Sequence, residues 1–309
     1  MPLLLALLIA SAAGAVVSYL AYRYPTHAPG AGTPTLEAAE RMGREMRRHE
    51  HLGTLWRRRS DPTVATGLAL TLALGLVFVA GIGLGVLAYL VRTDSGLLGI
   101  DSSVAEWGAD HATAWSTDAL ETLTHLGDTL TVIVLAIVLV IAETIRAPSR
   151  WIAPFVLVVI LGQNLITNGL KEVFDRLRPT INPIAETLGP SFPSGHSATA
   201  AAFYAAAALV LGRRRPALAR ALLAGGAVSI AVLVAGTRVM LGVHWLTDVI
   251  GGLLLGWAWF AVAAIAFGGR LLRFGAATEH ATDAAKGRRT ESPRDIAAEV
   301  EPRPDRASA

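Results

Sequence analysis

Seven separate apolar runs dominate this sequence, at roughly 2–22, 65–91, 129–145, 151–170, 197–212, 218–236 and 249–267. Most are long enough to cross a hydrocarbon core of about 30 Å at about 1.5 Å per residue. A soluble core does not require so many. Charge agrees: 17% of the residues are charged, against about 25% in a typical soluble domain. The mean hydropathy is +0.49. The predicted fold class is therefore all-α, a polytopic membrane protein.

The run at 197–212 is dominated by alanine: Ala198, Ala200, Ala201, Ala202 and Ala205 to Ala208. Small residues let helices approach closely in a membrane. This run is expected to be a central helix that sees little lipid. The chain has no cysteine, which excludes disulfides, thiolate metal sites and a cysteine nucleophile. The pI near 9.6 does not point to nucleic acid, because the basic residues lie in short clusters between apolar runs. No nucleic-acid partner is expected.

Those clusters set a topology. Residues 23–61 hold eight arginines, whereas 92–128 hold Arg92 against seven acids. Arg146 and Arg150 mark the next link, then Arg213, Arg214, Arg215 and Arg220, then Arg270 and Arg273. Residues 23–64, 146–150, 212–220 and 268–309 are thus expected to be cytoplasmic. The loops at 92–128, 171–196 and 237–248 are expected to face outward. Residues 1–22 read as a retained, N-out transmembrane anchor, because no positive region precedes them as in a signal peptide. Residues 23–64 form an Arg-rich cytoplasmic segment. The part from Thr33 to Arg59 reads as a surface-lying helix or a solvated linker. A catalytic membrane domain is expected over 65–269. The mixed-charge tail over 270–309 is expected to be disordered.

Three outward stretches carry chemistry. In "KEVFDRLRP", Lys171 and Arg178 are seven apart and share a face if the helix persists, with Arg176 nearby and Pro179 as the stop. Cations kept on the outward side call for an anionic ligand, and the arginine fork suits phosphate. In "PSGH", Gly195 lets a ligand approach the backbone, and the amides of Ser194 to His196 precede a helix expected to start at Ser197. His196 adds a group that can give or hold a proton near neutral pH. In "TRVMLGVHWLTD", His244 and Asp248 are one helical turn apart, so the carboxylate can fix the imidazole tautomer. Arg238 lies at the end of the preceding run. Ionisable residues entering a membrane helix cost about 2.5–3.5 kcal/mol each, which a surface pair worth a few tenths of a kcal/mol does not offset. Together the stretches supply three cations, backbone donors, two histidines and a carboxylate, an inventory suited to a tetrahedral phosphate.

The spacings resemble the type 2 phosphatidic acid phosphatases, relatives of the vanadium haloperoxidases. That family's pattern reads here as Lys171 then Arg178-Pro179, Pro193-Ser194-Gly195-His196, and Thr237-Arg238 then His244 and Asp248. Thr237 stands where the family usually has serine. The resemblance covers about 65–267 and implies a six-helix core, preceded here by one extra N-terminal transmembrane helix. It implies that His244 is the nucleophile, that Asp248 orients it, and that His196 protonates the leaving group. It implies that Lys171, Arg178 and Arg238, with Ser194 and the Gly195 amide, bind the phosphate, with no metal and no cofactor.

The position of these residues at helix ends favours a lipid phosphate over a soluble one. Phosphatidate, phosphatidylglycerol phosphate and undecaprenyl diphosphate are the candidates. A phosphotransferase sharing the phosphohistidine is the alternative. A transporter ranks lower, because its charges would sit mid-membrane, and so does a haloperoxidase, whose relatives are typically not polytopic. Trp107 and Trp115 are expected at the membrane interface, and His111 and His125 are expected to be structural.

Overall fold

The computed structural model describes residues 1–23, 75, 77–90, 93, 97–179 and 189–271. Nearly all of the Arg-rich segment expected over 23–64, and of the tail expected over 270–309, lies outside them. The described elements are helical. They are α1 (Pro2–Arg23), α2 (Val77–Leu90), α3 (Leu97–Asp110), α4 (Ala114–Thr124), a 3₁₀ turn (His125–Gly127), α5 (Thr129–Arg146), α6 (Ile152–Phe174), α7 (Gly195–Leu211), α8 (Ala217–Met240) and α9 (Leu246–Leu271). Five of them, α1, α5, α6, α8 and α9 to Phe267, are long and apolar enough to cross a membrane. With α2 and α7 they give the anticipated six-helix core behind one additional N-terminal helix.

The alanine-rich α7 sits in the middle and touches α5, α6, α8 and α9. Its small side chains make this possible: ten of its 17 residues are buried. Against α9 the approach is closest at two glycines one turn apart. A Cβ on Gly252 would lie 2.5 Å from the Ser194 carbonyl oxygen, and one on Gly256 would strike the Ala198 carbonyl. Association of helices in lipid rests on such close packing rather than on hydrophobic exclusion. The same device seats α1 on α8, where a Cβ on Gly14 would lie 2.6 Å from the Gly225 carbonyl oxygen.

The two ends of the bundle carry different ionic groups. At one end Arg146 donates to both oxygens of the buried Glu143, at 2.6 and 2.7 Å, and to the carbonyls of Leu211 and Arg213, each at 3.2 Å. Arg213 in turn donates to the Ala147 carbonyl. This clasp ties the end of α5 to the end of α7. At the other end lie the close of α6, the start of α7, the close of α8 and the start of α9, which carry all three motifs.

Two boundaries differ from expectation. α6 stops at Phe174, because Asp175 takes a left-handed conformation (φ 40°) and its N–H caps the Lys171 carbonyl at 3.0 Å. Lys171 and Arg178 therefore do not share a helical face; an extended strap brings Arg178 back to the site instead. α7 begins at Gly195 rather than Ser197, with Ser194 as its N-cap.

Candidate active site

The link between α8 and α9 folds His244 inward. Its backbone N–H donates to the Arg238 carbonyl at 3.2 Å, and its ring is 2% exposed. Nδ1 faces Asp248 Oδ2 and Ser191 Oγ, each at 3.4 Å. Nε2 faces Arg178 Nη1 at 3.2 Å. With Nδ1 turned to a carboxylate, the lone pair falls on Nε2, the nitrogen on the side of Arg178. Burial lowers the His244 pKa to about 4, and Arg178 and Arg238 push the same way against Asp248. The ring is therefore neutral at physiological pH.

Asp248 is fully buried and heavily bonded. It accepts from Arg176 Nη1 at 2.5 Å, from the Trp245 amide at 2.9 Å and from the Ser191 hydroxyl. Arg176 reaches past it to Asp101 of α3 at 2.8 Å, and Asp101 also accepts from the backbone and hydroxyl of Thr247. Arg176 is thus spent between two buried carboxylates and is not a ligand-facing cation. It holds the carboxylate that faces His244.

The other imidazole is held differently. His196 Nε2 lies 2.6 Å from Asp128 Oδ1, and His125 Nδ1 lies 2.6 Å from Asp128 Oδ2. Asp128 is the N-cap residue of α5, yet it makes no capping bond. An aspartate in that position ordinarily accepts from the helix's first amides; here both oxygens go to imidazoles. Burial alone would raise the Asp128 pKa, but the bonds from His125 and His196 outweigh it and keep the carboxyl below its usual range. Asp128 was not anticipated, and His125, expected to be structural, reaches His196 through it.

Three cations remain for an anion. Arg178 Nε and Nη2 lean on the carbonyls of Gly189 and Pro190 at 3.0 and 3.4 Å. Arg238 is 7% exposed and donates to Thr124 Oγ1 at 3.2 Å, while its Nε is buried with no partner among the described residues. Lys171 borders a cavity with Gly195 and His196. A Cβ on Gly195 would meet only Thr167 Cγ2, at 4.0 Å, so open space, not protein, lies before that backbone. Ser194 offers less than expected. Its hydroxyl is buried against Ser197 Oγ at 3.1 Å, and its amide donates to the Asp248 carbonyl at 3.0 Å. That amide bond ties the start of α7 to the start of α9, so the PSGH and His–Asp stretches meet directly.

Over 147 residues the chain is 37% identical to phosphatidylglycerophosphatase B of Bacillus subtilis, spanning 46% of this chain and 70% of the relative. The chain belongs to the PAP2 superfamily. The PAP2 family model matches residues 152–271, which hold every motif residue above. Lipid A 1-phosphatase of Rhizobium etli is 31% identical over 178 residues, 50% of this chain and 72% of the relative. The crystal structure of a transmembrane PAP2-type phosphatidylglycerolphosphate phosphatase from Bacillus subtilis superposes with a TM-score of 0.59 at 28% identity. It covers 64% of this chain and 98% of that one. This PAP2 protein is accordingly a multi-pass membrane phosphatase, a phosphoric ester hydrolase. Asp101 and Asp128, which brace the two histidines, precede the matched segment.

Proposed function

We propose that this PAP2 chain hydrolyses a lipid phosphate monoester or diphosphate through a phosphohistidine at His244, at the outer face of the membrane. The observation that carries the reading is the paired arrangement of a buried imidazole facing Arg178 and a second imidazole held by a carboxylate, beside arginine and lysine groups with unused donors among the described residues. The phosphoryl group binds Lys171, Arg178, Arg238 and the Gly195 amide, and its charge is spread over these donors. His244 Nε2 forms the bond to phosphorus as the bond to the leaving oxygen breaks. His196 gives that oxygen its proton. Nδ1 is the nitrogen left to carry it, because Nε2 is engaged by Asp128. Water then attacks the phosphohistidine, His196 takes its proton, and His244 and inorganic phosphate are released. Asp248 supports the imidazolium while it exists.

The homologues named above act, by their names, on phosphatidylglycerophosphate and lipid A, and the helix-end position of the site lets a headgroup enter while its tails stay in the bilayer. The alternation of basic links supports an outward site, residues 1–22 as a retained anchor and 65–269 as the catalytic domain.

The test uses purified protein in detergent with phosphatidate, phosphatidylglycerol phosphate and undecaprenyl diphosphate, each with EDTA. Phosphate release that persists in the chelator is expected. Release that EDTA abolishes, or none from any substrate, contradicts the mechanism. A reporter fused after Arg215 is expected to score cytoplasmic, and the opposite result reverses the sidedness.

A further inference from the structure

A cavity of about 180 Å³ adjoins the phosphate site and is bounded by Lys171 and His196, but not by His244, Arg178 or Arg238. It therefore lies on the side of the proton donor. Displacement at phosphorus runs roughly in line, so the leaving oxygen departs away from the attacking nitrogen. On the phosphatase reading the leaving oxygen departs toward His196, and so toward this cavity. Its deeper wall is Gln163, Asn164, Thr167 and Asn168 of α6 with Thr199 of α7. Among the described residues no Leu, Ile, Val or aromatic side chain lines it. Asn164 lies seven residues before Lys171, so about 10 Å further along the helix axis into the membrane. A cavity for a lipid tail at that depth would be apolar.

Helix pairing accounts for half of this wall. Thr199 Oγ1 donates to Gln163 Oε1 at 3.0 Å, and Gln163 Nε2 donates to Thr167 Oγ1 at 2.8 Å. All three are buried and bind α7 to α6. Asn164 and Asn168 are not explained this way. Asn168 Nδ2 donates to Asn164 Oδ1 at 2.7 Å, both sit on α6, and the pair lies on the more exposed side. Each amide can make several hydrogen bonds. The remaining capacity of both is unused among the described residues, in a segment where polar side chains are costly and mark function.

We propose that Asn164 and Asn168 form a subsite for the leaving alcohol, and that the substrate is a phosphate monoester whose leaving group carries a free hydroxyl next to the phosphate. This rests on the phosphatase reading above. At about 30 Å³ per water-sized group, the cavity holds a glycerol-sized fragment. An isoprenyl diphosphate would set its second phosphate against neutral amides, with Lys171 the sole Lys or Arg in the wall among the described residues. Diacylglycerol leaving from phosphatidate has no free hydroxyl beyond the one created by the reaction.

The decisive experiment compares kcat/KM for phosphatidylglycerol phosphate and phosphatidate of identical acyl chains. The wild type is expected to prefer the former by about tenfold, the worth of one or two added hydrogen bonds. The double variant Asn164→Leu, Asn168→Leu is expected to bring that ratio close to one. Equal values in the wild type, or a variant that lowers both substrates by one factor, overturn the proposal. Should the variant not fold, the wild type alone decides. sn-Glycerol 3-phosphate is expected to inhibit competitively several-fold better than n-propyl phosphate, through the same bonds; n-propyl phosphate equal or better contradicts it. Hydrolysis without discrimination removes this inference alone, whereas no hydrolysis of any ester removes the phosphatase reading with it.

Discussion

The site contains two histidine–aspartate pairs that differ in exposure and in what holds the carboxylate. His244 and Asp248 are 2% and 0% exposed, and their carboxylate is pinned by Arg176, Ser191 and the Trp245 amide. His196 and Asp128 are 28% and 33% exposed, and their carboxylate is shared with His125, itself 67% exposed. The dry pair suits a nucleophile that must stay neutral and hold one tautomer. The wetter pair suits a group that must load and unload a proton each turnover, with a route to solvent. Three substitutions and one titration test this contrast.

The largest effect is expected from Arg176→Ala. It leaves Asp101 and Asp248 buried without their counter-charge, a loss on the order of 3–5 kcal/mol, read as a fall in the unfolding midpoint in detergent. Activity should fall with it, because Asp248 loses its anchor. Unaltered stability would show that the buried pair is not held as described. Asp128→Asn comes next. It keeps the shape but removes the charge that supports a protonated His196, so kcat is expected to drop about tenfold. The rate depends on the protonated acid, so the alkaline limb of the pH profile should move to lower pH. A simple loss of folded protein would not move that limb. His125→Ala acts through one further bond, and a loss of about two- to threefold is expected, measured as kcat.

The titration tests the dry pair. Because burial lowers His244 to about 4, it stays neutral down to that pH. The acidic fall of kcat/KM is expected near pH 4, not near 6.5. The unfolded chain binds this proton first, so stability falls as pH drops from 6.5 toward 4. An acidic limb of kcat/KM near 6.5, or a His244 ring resonance that titrates there by NMR, would contradict the burial argument.

Much of this was legible in the sequence, and what was not has a physical cause. The apolar runs give the helices, because length and composition decide whether a segment can cross a bilayer. His244 and Asp248 were readable because they lie one turn apart. Asp128 pairs with a histidine 68 residues away and Arg176 with an aspartate 75 residues away, and such pairings leave no local periodicity. The end of α6 was misplaced because the left-handed Asp175, rather than Pro179, closes it. Asn164 and Asn168 sit inside an apolar run and carry no motif, so only the cavity brings them forward.

The destination of the phosphoryl group decides the mechanism most directly. Rapid quenching of turnover with ³²P-labelled substrate, under alkaline conditions that preserve phosphoimidazole, followed by peptide mapping, is expected to place the label on the peptide containing His244 and to lose it in His244→Ala. Label on another residue, or steady turnover in His244→Ala, would contradict it.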